Sequence, residues 1–314
     1  MTRTSAEIER ARLALIQQHG PWTAANVDLG DGVYTIGPEA PTLHAGMVRF
    51  AQLFMDYTGK ALGALRILDL ACLEGEYAIE FARQGAQVTG IEGRAANIAK
   101  ARFAKEALDL TNLQLIQDDV RNLRRESHGS FDAVLCSGIL YHLDAPDVAE
   151  FLHRIGEVCH RCLIVDTHVA FRGRECFEHR GRTYWGSRFV EHHRAATEKE
   201  RENSSWASLD NRTSFWFTRP SLLNALHAAG FTSVAECHSP PHLEKSGDRV
   251  TLVAIKGEPY RPRDVAAARL PVTWPERQRS SLPYYAKRFL RAVVLSMPHA
   301  VSRRVSGLFA KRRK

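Results

Sequence analysis

Between Arg66 and Thr167, five short apolar runs alternate with segments of helical period, and no other feature constrains the fold as strongly. Runs of five or six residues separated by helices form parallel strands, because a parallel neighbour is reached only through a crossover. The pattern predicts strands over Arg66–Ala71, Gln87–Ile91, Leu113–Gln117, Ala133–Ser137 and Leu163–Thr167. It predicts helices over Glu76–Gln84, Ala95–Leu108 and Asp147–Val158. A further helix, Arg219–Ala229, has Thr218 as N-cap, Pro220 at its first position and Gly230 as C-cap. Two more strands, Thr232–Cys237 and Arg249–Ile255, flank a loop with Pro and Gly that suits an antiparallel return. The fold class is therefore α/β, a doubly wound, seven-stranded, mostly parallel sheet. Ligands of such sheets bind beyond the carboxyl ends of the strands, where the strand order reverses.

Around this unit the chain divides into four parts. Residues 1–60 read as an N-terminal helical cap, with helices over Ser5–Gln18 and His44–Tyr57. Residues 61–257 hold the sheet. An insert at 170–215, polar, aromatic and rich in His, shows little strand pattern and reads as a lid. Residues 258–314 are a Pro-rich linker and a basic amphipathic helical extension, with apolar stripes at Tyr285, Phe289 and Val293 and at Val301, Val305, Leu308 and Phe309. The net charge of +8 belongs to that extension. From Glu276 to Lys314 eleven basic residues face one acid, whereas residues 1–275 hold 32 basic and 34 acidic ones. A near-neutral body argues against nucleic acid as the main partner. The extension leaves open peripheral contact with an anionic membrane surface and packing as a homodimer. Six scattered cysteines form no disulfide framework, and Cys159 and Cys162 read as core thiols. With no signal-peptide core and no apolar run near 20 residues, the expectation is a cytoplasmic protein, with the membrane's inner surface as its only membrane contact.

The strand ends carry the chemistry. The first ends in Asp69-Leu70-Ala71-Cys72-Leu73-Glu74-Gly75, and the second in Gly90-Ile91-Glu92-Gly93, an acid 23 residues after Asp69. An acid at the second tip suits the two ribose hydroxyls of an adenine nucleoside. The third strand ends in Asp118-Asp119-Val120, and the fourth is followed by Ser137-Gly138-Ile139-Leu140-Tyr141-His142. In these four motifs, in this order, the chain resembles the class I S-adenosylmethionine-dependent methyltransferases over roughly Leu65–Lys256. The resemblance implies a Rossmann-like methyltransferase fold and S-adenosylmethionine as cofactor. It places Asp69, Ala71 and Gly75 around the methionine moiety, Glu92 and Gly93 at the ribose, Asp119 and Val120 at the adenine, and Ser137 on the floor beside the methionine. Trp22, Gly32-Val33-Tyr34-Thr35, the Gly138–His142 run and Ser214–Thr218 look nearest to the tRNA wobble-uridine carboxymethyltransferase-like subfamily. Ala71 and Leu73 stand where the family usually has glycine, so the loop is expected to differ locally, and ordinary and carboxylated cofactors remain alternatives. A dehydrogenase would place a phosphate-cradling G-x-G-x-x-G at this turn, and Glu74 is poorly placed against a pyrophosphate.

Methyl transfer is an in-line displacement, and a hydroxyl acceptor benefits from a general base. His142, just past the fourth strand, and His168, at the fifth strand tip, are the candidates. Tyr141, Tyr184, Trp185, His192 and Trp216 are expected to contact the acceptor, read as a small-molecule or saccharide hydroxyl; the alternatives are an RNA and a non-catalytic cofactor-binding scaffold. Asp166, His168, Glu191 and His192 have no spacing specific to a metal, and no metal is expected.

Overall fold

The computed structural model describes residues 4–24, 26–38, 45–204, 206–241, 247–259 and 274. In chain order the elements are α1 (Ser5–His19), α2 (Ala45–Thr58), β1 (Arg66–Leu70), α3 (Glu76–Arg83), β2 (Gln87–Glu92), α4 (Ala95–Ala107), β3 (Leu113–Gln117), α5 (Arg125–His128) and β4 (Phe131–Ser137). There follow α6 (Asp147–Val158), β5 (Cys159–His168), β6 (Glu175–His179), β7 (Arg182–Val190), α7 (Glu198–Glu202), β8 (Thr213–Phe217), α8 (Arg219–Ala228), β9 (Ser233–Glu236) and β10 (Arg249–Ile255). Seven strands form one sheet in the order β3-β2-β1-β4-β5-β10-β9. Its first five strands are parallel, and β10 runs antiparallel to β5 and β9. The order reverses between β1 and β4, which is where the crevice of a doubly wound sheet opens.

Strand alternation decides which side each residue serves. Leu68, Leu70, Val134, Cys136, Leu163, Val165 and Leu252 face the core under α6 and α8. Their neighbours Ile67, Ala133, Leu135, Ile164 and Val253 face the opposite core, under α2, α3 and α4. Ile8, Trp22, Phe50 and Phe54 belong to that second core, so the N-terminal helices share the sheet's own packing. Helix α8 begins as its residues dictate, with the Thr218 hydroxyl accepting from Ser221 N and Pro220 in the first turn. It ends one residue earlier than the sequence implies: Ala229 is the C-cap and Gly230, at φ +92°, follows it.

The insert departs from its reading as irregular polypeptide. Strands β6, β7 and β8 form a three-stranded antiparallel sheet, with Phe177, Tyr184, Phe215 and Phe217 on the face toward the α6 and α8 core. Arg, Glu and His on the other positions masked that alternation. Cys159 and Cys162 are buried free thiols at the start of β5, and burial pushes Cys159 up to about 12.

Among the described residues no helix is long and apolar enough to cross a membrane. The chain divides into two compact units, Met1–Trp274 and Pro275–Lys314. The basic amphipathic helices expected in the second unit lie outside the described residues, as do the membrane and dimer contacts read from them.

Candidate active site

A cavity of about 420 Å³ opens at the carboxyl ends of β1 to β5, within the range of small-molecule sites. Ala71, Glu92, Gly93, Asp119, Val120 and Ser137 line it, which brings six of the eight expected cofactor residues together. Asp69 and Gly75 stand behind that lining. Gly75 is the N-cap of α3 at φ +89°, where a side chain would also crowd Ala101 and Ile79 at 3.2 Å.

The loop after β1 is left-handed at two residues that are not glycine. Ala71 and Leu73 hold φ of +55° and +49°, so the chain keeps the left-handed conformation that glycine favours without having glycine there. Each costs roughly 1–2 kcal/mol. The contacts that hold the loop are visible: Glu92 Oε2 accepts from Leu73 N at 3.0 Å, and Cys72 N donates to Ile91 O at 3.0 Å. Glu92 Oε1 takes Arg94 N at 2.8 Å, so the acid at the β2 tip is fixed by backbone donors from both sides. Burial raises the Glu92 pKa, against the opposing hydrogen bond and charge of Arg94. Arg121 holds both oxygens of Asp119, Nε donating to Oδ1 at 3.1 Å and Nη2 to Oδ2 at 2.6 Å, so a nucleoside there meets an ion pair.

Asp69 is 2% exposed, and its Oδ2 has no hydrogen-bond partner. Burial pushes its pKa up to about 8, against a backbone hydrogen bond from Ala78 and with added repulsion from Glu76 and Glu92. The folded protein therefore keeps this proton up to about 8, while an unfolded chain releases it near 3.8. Stability from this group is full below 3.8 and is lost as the pH rises through about 8. Asp69→Asn is expected to gain on the wild type between pH 5 and pH 9 by a few kcal/mol, read by chemical denaturation. A difference that stays flat with pH would count against the buried proton.

Tyr141 and His142, in the turn after β4, also line the cavity. His142 Nδ1 lies 2.9 Å from Glu191 Oε2, and Ser208 N donates to the same oxygen at 2.9 Å. Burial works to raise the Glu191 pKa, but the hydrogen bond and charge of His142 outweigh it and hold the carboxyl below its ordinary value. A carboxylate at Nδ1 requires the ring to donate there, which leaves Nε2 as the basic nitrogen. Glu191 was legible only as one of several polar groups in the insert; a carboxylate 49 residues from a histidine has no spacing that announces the pair.

His168 is placed otherwise. It stacks on Trp216 (centroids 4.8 Å apart, planes 21°) and meets the edge of Tyr141, and it is not among the cavity-lining residues. Its Nδ1 is 3.2 Å from Asp248 Oδ1 but has no aligned hydrogen bond. Burial holds its pKa below the ordinary value against the pull of Asp248.

Of the expected acceptor residues only Tyr141 lines the cavity. Trp216 supports it from behind, Nε1 donating to Tyr141 O at 3.0 Å. Tyr184 is 1% exposed among Phe177 and Phe217, and Trp185 lies elsewhere on β7, its N–H bound to Ser221 Oγ. His192 is buried with Nε2 2.8 Å from Ser208 O. The insert instead offers Trp206, Ser208, Leu209, Asp210 and Asn211 to the cavity, and Trp206 is 68% exposed there. Gly93 is what admits Leu209, whose Cδ2 would stand 2.9 Å from a Cβ at that position. Asp166, at the β5 tip, is bound by Arg249 Nε and Thr251 Oγ1, each at 2.6 Å. Among the described residues no three His, Cys, Asp or Glu side chains gather as a metal ion requires.

Comparison with known proteins agrees with this geometry. A family model described as "Methyltransferase domain" matches residues 67–161. The ubiquinone biosynthesis O-methyltransferase of Alkalilimnicola ehrlichii is 37% identical over 123 residues, 38% of this chain and 47% of the relative. Its counterpart in Acinetobacter baumannii is 29% identical over 118 residues, again 38% and 47%. The chain thus spans about half the length of these curated relatives. A solved structure of the N-terminal domain of EvdMO1 in the presence of SAH and D-fucose is 25% identical, with a TM-score of 0.62. That likeness covers 81% of this chain and 100% of the other.

Proposed function

We propose that this chain is a class I S-adenosylmethionine-dependent methyltransferase that methylates the hydroxyl oxygen of a small saccharide-like molecule; the methyltransferase model over residues 67–161 and the likeness to the EvdMO1 domain support the first part. The observation that carries this reading is the His142–Glu191 pair on the wall of the cavity. The residues present fit the cofactor. Glu92 is a fixed carboxylate at the ribose position, and the unpartnered, protonated carboxyl of Asp69 lies just behind the loop expected to hold the methionine moiety. S-adenosylmethionine, when bound, supplies a methyl group on a sulfonium sulfur. The chain's own part is to align the acceptor oxygen and to remove its proton. His142 Nε2 takes the hydroxyl proton as the oxygen's electron pair forms the new bond to carbon; the carbon–sulfur pair departs with sulfur, leaving S-adenosylhomocysteine. Glu191 keeps the imidazole in the accepting tautomer and balances the imidazolium that forms.

The saccharide reading is supported by Trp206, an exposed indole at the cavity that offers an apolar face to a sugar ring, and by the D-fucose named with the EvdMO1 domain. The named curated relatives are O-methyltransferases, which favours an oxygen acceptor over the tRNA substrate of the carboxymethyltransferase-like pattern. A methyl-transfer screen with labelled cofactor over monosaccharides, small hydroxylated metabolites and bulk RNA tests the assignment. Label is expected in a saccharide or other small hydroxyl, and Trp206→Ala is expected to raise KM for that acceptor about tenfold with kcat little changed. Label recovered mainly in RNA would reject the acceptor, and absence of cofactor binding by calorimetry would reject the activity.

A further inference from the structure

Arg94 follows the ribose-side acid, Glu92, by two residues, yet among the described residues its side chain pairs with no carboxylate. The guanidinium donates to four backbone carbonyls of the insert: Nε to Glu202 O at 3.0 Å, and Nη2 to Ser204, Ala207 and Ser208 O at 2.8, 2.9 and 3.0 Å. It is 8% exposed, so these bonds are made out of water, where an unmade one is costly. Burial lowers the Arg94 pKa against the pull of Glu92 and Glu202. The contacts continue from Ser208. Its N–H donates to Glu191 Oε2, which holds His142 Nδ1, and its carbonyl also meets His192 Nε2 at 2.8 Å. At the other end Arg94 N donates to Glu92 Oε1. A single run of hydrogen bonds therefore joins Glu92 at the β2 tip to the imidazole of His142, through the insert and not through the sheet.

We propose that Arg94 is a positioning residue for the base: by fixing the backbone at Ser208 it sets where Glu191 stands, and through Glu191 the tautomer and aim of His142. The inference rests on the reading of His142 as the base, and it names a residue that neither touches the acceptor nor gives up a proton. It also accounts for an arginine where a lysine would satisfy the charge. Nε and Nη2 both reach carbonyls of the insert, two nitrogens of one rigid planar group where a lysine offers one.

The test is nitrogen NMR of the His142 imidazole in the full chain, which reports the tautomer with no substrate present, joined to a kinetic cycle. In the wild type the proton is expected on Nδ1. Arg94→Met is expected to move the signals toward a mixture of tautomers and to lower kcat about tenfold, with cofactor KM changed less than threefold. Arg94→Lys should recover part of both effects, and it carries the comparison where thermal unfolding shows that Arg94→Met does not fold. The double variant Arg94→Met/Glu191→Gln is expected within about twofold of Glu191→Gln alone, because both changes interrupt one chain of contacts. Unchanged imidazole signals in the folded Arg94 variants, or kcat losses that multiply in the double variant, would overturn the proposal. The NMR signature needs no turnover, so a chain that transferred no methyl group would fail the proposed function and still answer this question.

Discussion

Replacing His142 with asparagine is expected to lower kcat by about 10²–10⁴-fold while cofactor binding stays within about threefold. Asparagine can still donate to Glu191, so the hydrogen bonds that hold the β4 turn and the insert together have a substitute. What is lost is the nitrogen able to accept a proton. A hydroxyl is a poor nucleophile until its proton begins to leave, and several carboxylates of the cavity lining are already held by partners: Asp166 by Arg249 and Thr251, and Asp119 and Asp210 by Arg121. Glu191→Gln is expected to cost less, about tenfold. Ser208 N keeps an oxygen of the side chain facing the imidazole, but the charge that balances the imidazolium is gone. Single-turnover rates with the acceptor found by the screen would measure both. A loss below about threefold for His142→Asn would mean that the proton leaves after the transition state or to water, and the base assignment would fail.

Much of the cavity lining is legible in the sequence, for a physical reason. Strand tips in a doubly wound sheet are adjacent in space by topology alone, so acids found at successive tips must share a crevice. That is why Glu92, Asp119, Ser137 and His142 come together as expected. The insert obeyed no such rule. Its aromatic residues divide between a core face and an outer face only once the β7–β8 register is known, and Tyr184 falls on the core side. Glu191 and Arg94 were missed because their partners are set by tertiary contacts across 49 and about 110 residues, with no local signature. At Ala71 and Leu73 residue type alone does not announce the left-handed conformation, which the bonds to Glu92 and Ile91 hold in place.

Glu74 is the other residue whose loss should be severe, and the effect falls on stability. In the sequence it served only as an argument against a pyrophosphate. In the fold it is a 1% exposed carboxylate that receives Lys100 Nζ at 3.0 Å, Thr23 N at 2.9 Å and Ala24 N at 2.9 Å. Lys100 is as deeply placed, donating also to Pro21 O at 2.7 Å and lying 5.9 Å from the centre of the Trp22 ring. One carboxylate thus fastens three things: the N-terminal segment, the loop after β1 and the face of α4. Glu74→Ala strands a buried ammonium and two amide donors at once, and breaking such a pair costs about 3–5 kcal/mol. For a chain of this size that is a fall in Tm on the order of 10 °C. Because Ala24 lines the cavity, cofactor affinity should fall with it. Glu74→Gln should lose less, since its amide oxygen still accepts from Thr23 and Ala24 although Lys100 is left without its counter-charge. The replacement of both residues by methionine separates the two contributions: it removes the stranded ammonium but not the stranded amides, so it should lie between wild type and Glu74→Ala. If Glu74→Ala unfolded within 1 kcal/mol of the wild type, water would have to reach Lys100 and both amides, and the N-terminal segment would not be fastened to the loop through this carboxylate.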